Sequence, residues 1–216
     1  MIKSFQLFLV VFCCASLLSN ATAFASDKTP ASVLVLGDSL SSAYGIDTDE
    51  GWVALLQQQI TREKYEYRVI NASVSGDTTR TGLSRIETAL RSHKPQIVII
   101  ALGGNDGLRG LAFSEIENSL ARIIERCQQN NAQALLVGVR LPPNYGPVYT
   151  QQFTALFEKL ATRYDIPLVP EMLKQVAEKR VLIQQDGIHP KAEAQLQIMK
   201  NVWPGLEPLL TGNKIR

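Results

Sequence analysis

A serine, a histidine and an aspartate in this sequence have the residue types and the spacing that nucleophilic catalysis requires. Ser39 follows an apolar run in the stretch VLVLGDSLS, and His189 lies three residues after Asp186 in the stretch DGIHP. In a group of this kind the carboxylate holds one imidazole tautomer, and the imidazole removes the proton of the attacking serine. These three residues are therefore candidates for a catalytic triad that performs acyl transfer.

Each of these residues also has a simpler interpretation. Ser39 can belong to a turn that caps the first helix, and the G-x-S-x-G motif of many serine hydrolases is absent around it. Asp186 and His189 can form a turn that begins the last helix. The sequence has one other histidine, His93, which lies between a helical pattern and a strand and is expected to be exposed. His189 is thus the better candidate base for Ser39.

Acyl transfer also needs hydrogen-bond donors for the oxyanion that forms on the substrate. Gly76, in NASVSGDT, has no side chain to keep its backbone N–H away from a substrate, and Asn105, in LGGNDG, carries an amide donor. The backbone N–H of Ser39 is the third candidate. Alternatively, the GGND segment is a simple turn after a strand, because Gly and Asn are common in turns.

The order of the predicted elements brings these separate residues to one place. Short runs of aliphatic and β-branched residues predict buried parallel strands at residues 32–36, 67–71, 96–102, 134–139 and 167–169. Apolar residues at helical spacing predict helices over residues 52–60, 83–90, 116–127, 153–164 and 196–203. This alternation predicts an α/β fold with helices on both faces of the sheet. Ligands bind at the carboxyl ends of such strands, where Ser39, Gly76 and Asn105 follow three of them.

Two helix ends are predicted from local motifs. Ser114 and Glu117 have the spacing of a capping box at the start of the third helix. The segment WPGLEP at residues 203–208 breaks the final helical pattern, so the last helix is expected to kink or end there.

The N-terminus has the order of a secretory signal peptide. Lys3 precedes an apolar run over residues 7–18, and an A-x-A site predicts cleavage after Ala25. The run is shorter than the about 20 residues of a membrane-spanning helix. We therefore expect a signal peptide at residues 1–25, a single domain at 26–216, and a periplasmic or secreted protein. Cys127 is then the one remaining cysteine and is expected to lie in the core.

Composition and motifs argue against several other classes of function. The formal net charge of +2 does not suggest a nucleic-acid partner. Asp38, Asp77 and Asp106 could gather with Asp186 and His189 around a metal ion. However, H-E-x-x-H and the glycine-rich loops of nucleotide-binding proteins are absent from the sequence, and after the predicted signal peptide only one cysteine remains, so no cysteine pair is left to bind a metal. We therefore predict no metal and no cofactor.

Four motifs together resemble the sequence blocks of the SGNH, or GDSL, hydrolases, in the same order. These motifs are GDSLS, NASVSGDT, LGGNDGLRG and DGIHP. The loop at residues 140–146, RLPPNYG, is similar to one in a branch of periplasmic thioesterases and lysophospholipases. The resemblance implies a three-layer α/β/α, flavodoxin-like fold with a five-stranded parallel sheet. It also implies a triad of Ser39, Asp186 and His189, an oxyanion hole from Ser39, Gly76 and Asn105, and no cofactor.

The resemblance further implies a mobile loop after Asn105 that closes over an acyl chain. Apolar residues of this loop and of the RLPPNYG loop are candidates for a substrate groove, namely Leu108, Leu111, Pro142, Pro143 and Tyr145. Four glycines between residues 103 and 110 are candidate hinges of the loop. The alternative is that the apolar side chains pack into the core beneath the loops.

The function predicted on these grounds is hydrolysis of acyl ester and thioester bonds by a secreted serine esterase. A carbohydrate acetyl esterase on the same fold is the first alternative, and a non-catalytic lipid-binding module is the second. The expected partners are small-molecule acyl substrates, and a monomer without a stable membrane anchor is expected.

Overall fold

Runs of valine, leucine and isoleucine form five parallel strands of one sheet. The computed structural model describes residues 31–210. Its strands are β1 (Ala31–Gly37), β2 (Tyr67–Asn71), β3 (Ile97–Ala101), β4 (Gln133–Val137) and β5 (Leu168–Val169). They lie in the order β2-β1-β3-β4-β5, which is a flavodoxin-like arrangement. The predicted strands are confirmed to within two residues at each end, whereas the predicted signal peptide lies outside the described residues.

The helices connect these strands and cover both faces of the sheet. They are α1 (Trp52–Arg62), α2 (Thr79–His93), α3 (Gly104–Leu108), α4 (Phe113–Gln129), α5 (Pro147–Tyr164) and α6 (Ala192–Leu206). Five of them were predicted from helical spacing, and α3 was not. Within residues 31–210, no helix combines the length and the apolar character needed to cross a membrane.

Alternate residues of the strands supply two separate layers of the core. Val33 and Val35 of β1 face the layer formed with α1 and α6. Leu34 and Leu36 face the opposite layer, formed with α2, α4 and α5. Since side chains alternate across a strand, a sheet covered on both faces needs apolar residues at every position. Cys127 is buried in the second layer, as predicted.

The predicted capping box at the start of α4 is wrong. The residue before the helix is Ala112, whose carbonyl accepts the N–H groups of Glu115 and Ile116, and no side chain caps this end. Phe113 occupies the first helical position, where its ring stacks on Tyr149 at a centroid distance of 4.9 Å. Ser114 thus lies inside the first turn and not before it.

Helix α6 continues through Pro204 and ends at Leu206, within the segment 203–208 where the sequence predicts a kink or an end. A proline inside a helix costs about 3 kcal/mol, so packing must offset this cost. Val202 and Leu206, on either side of it, are fully buried. At Gly205 a side-chain Cβ would lie 2.7 Å from Cγ2 of Val169, so this glycine lets the helix approach the sheet closely.

Candidate active site

Ser39 lies in a tight turn directly after β1. The N–H groups of Ser41 and Ser42 donate to the carbonyl of Asp38 at 3.1 and 3.0 Å. The indole N–H of Trp52 donates to the carbonyl of Leu40 at 3.1 Å and holds the turn against α1. The expectation that Ser39 caps the first helix is wrong, because α1 begins at Trp52, thirteen residues further along the chain. The turn presents Ser39 at the carboxyl edge of the sheet.

Ser39, His189 and Asp186 form a continuous chain of hydrogen bonds. The Oγ of Ser39 is 2.8 Å from Nε2 of His189, and Nδ1 of His189 is 2.6 Å from Oδ2 of Asp186. Because a carboxylate only accepts, Nδ1 carries the imidazole proton and Nε2 is left to accept from the serine hydroxyl. This is the arrangement in which an imidazole can act as a base towards a serine.

The loop around Asp186 keeps its carboxylate ionised. Its Oδ1 accepts the backbone N–H groups of His189 at 3.0 Å and of Ile188 at 2.9 Å. These two bonds, followed by the bond from the His189 ring, lower the pKa of Asp186 to about 2. A charged carboxylate at this position orients the imidazole and is suited to stabilise an imidazolium.

Three hydrogen-bond donors that were predicted for an oxyanion lie at the same edge of the sheet, two of them in loops and Asn105 in α3. Among the described residues, the backbone N–H groups of Ser39 and Gly76 have no hydrogen-bond partner. Gly76 has φ +82°, and no atom lies within 4 Å of where its Cβ would be. Asn105 holds its side-chain amide against the carbonyl of Asp77, with Nδ2 at 2.9 Å. Free N–H groups are what an incoming anionic oxygen needs.

The sequence matches the model of the GDSL-like lipase/acylhydrolase family over residues 35–196. This chain belongs to that family. The resemblance carried by the four sequence motifs is therefore confirmed, and so is the hydrolase class that it implied.

Relatives and a solved structure agree with this assignment. Esterase TesA of Pseudomonas aeruginosa is 47% identical over 178 residues, which cover 82% of this chain and 89% of the relative. Thioesterase 1/protease 1/lysophospholipase L1 of Escherichia coli is 41% identical over 180 residues, covering 82% and 84%. The crystal structure of esterase EstA from Pseudoalteromonas sp., inhibited by monoethylphosphonate, is 36% identical with a TM-score of 0.79, covering 84% of this chain and 99% of that one. The predicted three-layer α/β fold is thus confirmed.

The hydrolase holds the Gly76 loop with an arginine that was not predicted from the sequence. Arg85, on α2, donates through Nε to Oδ2 of Asp77 at 3.0 Å and through Nη1 to the carbonyl of Ala72 at 2.9 Å. One guanidinium therefore ties both ends of the loop that carries Gly76. The signal in the sequence is weak, because an arginine on a helix is usually a solvated surface residue.

Two further residues brace His189, and neither was predicted. Nε2 of Gln184 donates to the carbonyls of Tyr44 and Pro190 at 2.8 and 3.0 Å, which joins the loop of His189 to the loop after Ser39. The ring of Tyr44 packs against the imidazole with centroids 4.5 Å apart. The acceptors of Gln184 are backbone groups, so no pattern of residue types reveals them.

Two buried carboxyl groups flank Asn105. Asp106 accepts the backbone N–H of Thr79 at 2.9 Å and its hydroxyl at 2.6 Å, which joins α3 to the start of α2. Asp38 accepts the N–H of Leu40 at 3.0 Å, and burial raises its pKa to about 6. Among the described residues, no group of three or more His, Cys, Asp or Glu side chains is arranged to hold a metal ion.

The predicted groove residues divide into two sets. Leu108 and Leu111 are half-buried and pack against the core layer of α2, α4 and α5. Pro142, Pro143 and Tyr145 are exposed on the neighbouring loop, and the Tyr145 hydroxyl donates to the carbonyl of Leu108 at 2.8 Å. The two loops therefore contact each other, whereas a role in binding an acyl chain stays a prediction.

The predicted glycine hinges have a packing role at one position at least. A Cβ on Gly107 would lie 2.8 Å from side-chain carbons of both Leu141 and Phe153. Gly107 is also buried in α3, and its carbonyl accepts the Tyr149 hydroxyl at 3.0 Å. This glycine lets α3, and with it Asn105, lie close to the core.

Proposed function

We propose that this protein is a secreted serine esterase that hydrolyses acyl ester and thioester bonds through an acyl-enzyme. The observation that carries the proposal is the hydrogen-bond chain from Ser39 through His189 to Asp186, with distances of 2.8 and 2.6 Å. A serine hydroxyl bonded to a neutral imidazole, itself bonded to a charged carboxylate, is the arrangement that activates serine as a nucleophile.

In the first half of the reaction, Ser39 Oγ attacks the acyl carbonyl carbon as its proton passes to Nε2 of His189. The negative charge that develops on the carbonyl oxygen is stabilised by the N–H groups of Ser39 and Gly76 and by the amide of Asn105. The bond to the leaving group then breaks, and the imidazolium gives its proton to the leaving oxygen or sulfur. The acyl group remains as an ester on Ser39.

In the second half, water replaces the leaving group. Nε2 of His189 removes a proton from this water as the water oxygen attacks the acyl carbon, and the same three donors stabilise the second oxyanion. Collapse returns the proton to Ser39 Oγ and releases the carboxylic acid. No step requires a metal or a cofactor.

Three observations support the reaction mechanism and the substrate class. Relatives at 47% and 41% identity carry the names of an esterase and of a thioesterase and lysophospholipase. The EstA structure is described as inhibited by monoethylphosphonate, and phosphonates react with activated serines to give a tetrahedral adduct. The apolar residues beside the site, Leu108, Leu111, Pro142, Pro143 and Tyr145, offer surface for an acyl chain.

Export is proposed from the sequence of residues 1–25, which has the charged, apolar and small-residue regions of a signal peptide. The mature enzyme then begins at Ser26 and acts as a monomer on small-molecule substrates. N-terminal sequencing of the protein from the periplasm or medium tests the cleavage site, and size-exclusion chromatography tests the monomer.

Replacement of the proposed nucleophile tests the assignment of the reaction. We expect Ser39→Ala to lower kcat for p-nitrophenyl butyrate by at least about a thousandfold, while the melting temperature stays near that of the wild type. Ser92→Ala, an exposed serine at the end of α2, serves as the control and keeps full activity. A Ser39→Ala enzyme that retains wild-type turnover contradicts the proposal.

A panel of substrates that differ in acyl length tests the substrate class. If the apolar loops bind an acyl chain, kcat/KM rises from acetyl to octanoyl esters and is comparable for oxygen and sulfur leaving groups. Activity confined to acetyl esters favours a carbohydrate acetyl esterase instead. Acyl binding without any turnover favours the lipid-binding module.

A further inference from the structure

The carboxyl group of Asp38 is buried beside the nucleophile, yet the proposed reaction assigns it no role. The residue is only 3% exposed. Burial of a carboxyl group costs free energy, which an uncharged turn residue such as serine or asparagine would not incur to the same extent. A simple turn after β1 therefore does not account for an aspartate at this position.

Both carboxyl oxygens of Asp38 have partners, and the partners belong to different parts of the site. Oδ1 accepts the N–H of Leu40, the residue after Ser39, at 3.0 Å. Oδ2 accepts from Nδ2 of Asn105, which follows β3, at 3.3 Å. One rigid carboxyl group thus connects the turn of the nucleophile to the side-chain donor proposed for the oxyanion.

The geometry of the Asn105 amide leaves one N–H for the oxyanion. A carboxamide has two N–H groups in one plane, and the bond to the carbonyl of Asp77 at 2.9 Å occupies the first. The second N–H is directed towards Asp38, at a distance that is long for a hydrogen bond to a carboxyl group. A long bond orients this donor and leaves it able to turn to a stronger acceptor.

We propose that Asp38 is a positioning residue that aligns the Asn105 amide with the turn of Ser39 so that its second N–H meets the oxyanion. This inference rests on the proposed function, in which Asn105 donates to that oxygen. In the free enzyme the second N–H bonds to Asp38. When the tetrahedral intermediate forms, the oxyanion takes this N–H, and the bond of Asn105 to Asp77 stays in place.

The first test is the variant Asp38→Asn, which keeps the size of the side chain and one acceptor oxygen. Whichever way the new amide is turned, its NH₂ group faces either the N–H of Leu40 or the amide of Asn105. That bond is lost, because an NH₂ group cannot accept from a donor. With p-nitrophenyl butyrate we expect kcat and kcat/KM to fall together by roughly 10- to 100-fold, with KM within about twofold. Unchanged kcat in Asp38→Asn overturns the inference.

A double-mutant cycle with Asn105→Ala separates positioning from a merely structural role. If Asp38 acts through Asn105, the substitution Asp38→Asn costs less than about twofold in kcat once Asn105 is alanine. A loss of the same factor in both backgrounds overturns the inference, since Asp38 would then act independently of this amide. Asp38→Ala takes the same place in the cycle if Asp38→Asn does not fold.

The cycle also separates failure of this inference from failure of the proposed function. If Asn105→Ala has full activity, the oxyanion assignment itself is wrong, and the inference falls with it. If Asn105→Ala is impaired but Asp38→Asn is fully active, only the inference is wrong. Asp165→Asn is the control, because it makes the same chemical change at an exposed residue directly after α5, and it is expected to leave kcat and KM unchanged.

Discussion

At Asp38 a buried acid makes the stability of the folded state depend on pH. Desolvation by burial raises its pKa from 3.8 to about 6, against the smaller lowering effects of the Leu40 N–H and of His189, and Asp106 adds to the rise. The folded protein therefore binds the proton more tightly than the unfolded chain does. The resulting stabilisation is fully present below about pH 4 and is lost as the pH rises through 6.

This linkage predicts how Asp38→Asn changes the free energy of unfolding, because asparagine does not ionise. From pH 4 to pH 8 the wild type should lose on the order of 2 kcal/mol relative to Asp38→Asn. Urea titrations of both proteins across this range measure the difference. The same titrations of Ser92→Ala, which changes no ionisable group, should run parallel to the wild type. If the free energies of unfolding of the wild type and Asp38→Asn differ by the same amount at every pH from 4 to 8, Asp38 does not titrate in this range.

The catalytic candidates could be identified from the sequence because together they cover every role that acyl transfer needs, although each residue type alone is also common in turns. Ser39, Gly76 and Asn105 each follow a predicted strand, and Asp186 precedes His189 at a spacing that suits a bond between their side chains. Arg85 and Gln184 could not be identified in this way. Gln184 donates to backbone carbonyls, and Arg85 donates to one carbonyl and to Asp77. A sequence does not say which of these groups a helix or loop will face.

At the scale of elements, the loop that carries the proposed base is held by side chains as well as by a short β-bridge. A single bridge joins Ile183 to Pro190, and the N–H of Gln184 donates to the carbonyl of His189 at 2.7 Å. The Gln184 side chain adds the two bonds that reach across to Tyr44 and back to Pro190. The position of His189 relative to Ser39 therefore depends on this glutamine.

Gln184→Ala removes those two bonds and leaves the triad residues in the chain. We expect kcat for p-nitrophenyl butyrate to fall roughly tenfold, because a small displacement of the base is costly in rate, and stability to fall by about 1 to 2 kcal/mol. Gln185→Ala is the matched control, since this neighbour is exposed. Equal kcat in the two variants would mean that the Gln184 side chain does not position the base.

Elements rich in apolar residues were predicted well, and the short ones near the site were not. Helix α3 contains two glycines in five residues and has no helical pattern of apolar side chains, so its sequence favours a turn. It forms because tertiary contacts hold it: the Asp106 bonds to Thr79 fix one side, and the close contact of Gly107 with Leu141 fixes the other. The site depends on this element, since Asn105 lies in it.

At the scale of the whole molecule, the sheet couples two helical layers that share no helix. Its strands supply side chains to both layers. If one layer unfolds and the sheet is lost with it, the helices of the other layer lose the surface on which they pack. Both tryptophans of the chain, Trp52 and Trp203, lie in the layer of α1 and α6. Their fluorescence therefore reports on that layer alone, whereas circular dichroism reports on all helices.

A substitution that creates a cavity in the layer of α2, α4 and α5 tests this coupling. Leu120 is fully buried in α4, and Leu120→Ala should lower the free energy of unfolding by about 2 to 5 kcal/mol. If the domain unfolds as one unit, the urea midpoint from tryptophan fluorescence shifts as much as the midpoint from circular dichroism. Leu196→Ala, at a half-exposed position of α6, is the control for a small effect. A fluorescence midpoint that stays in place would show that the layers unfold separately.

The overall topology could be predicted because alternating strands and helices permit few arrangements. Parallel strands joined by helices place all carboxyl ends on one edge, which is why residues as distant as Ser39 and His189 were expected to meet. The distances within the site could not be predicted, because they are set by turns and by contacts between loops.

The identity of the nucleophile is the central claim, and covalent labelling tests it most directly. The protein is incubated with a fluorophosphonate, digested, and examined by mass spectrometry. The proposed mechanism predicts one adduct, on the peptide that contains Ser39, with none in Ser39→Ala and a much slower reaction in His189→Ala. An adduct on another residue, or an active enzyme that takes up no label at Ser39, would contradict it.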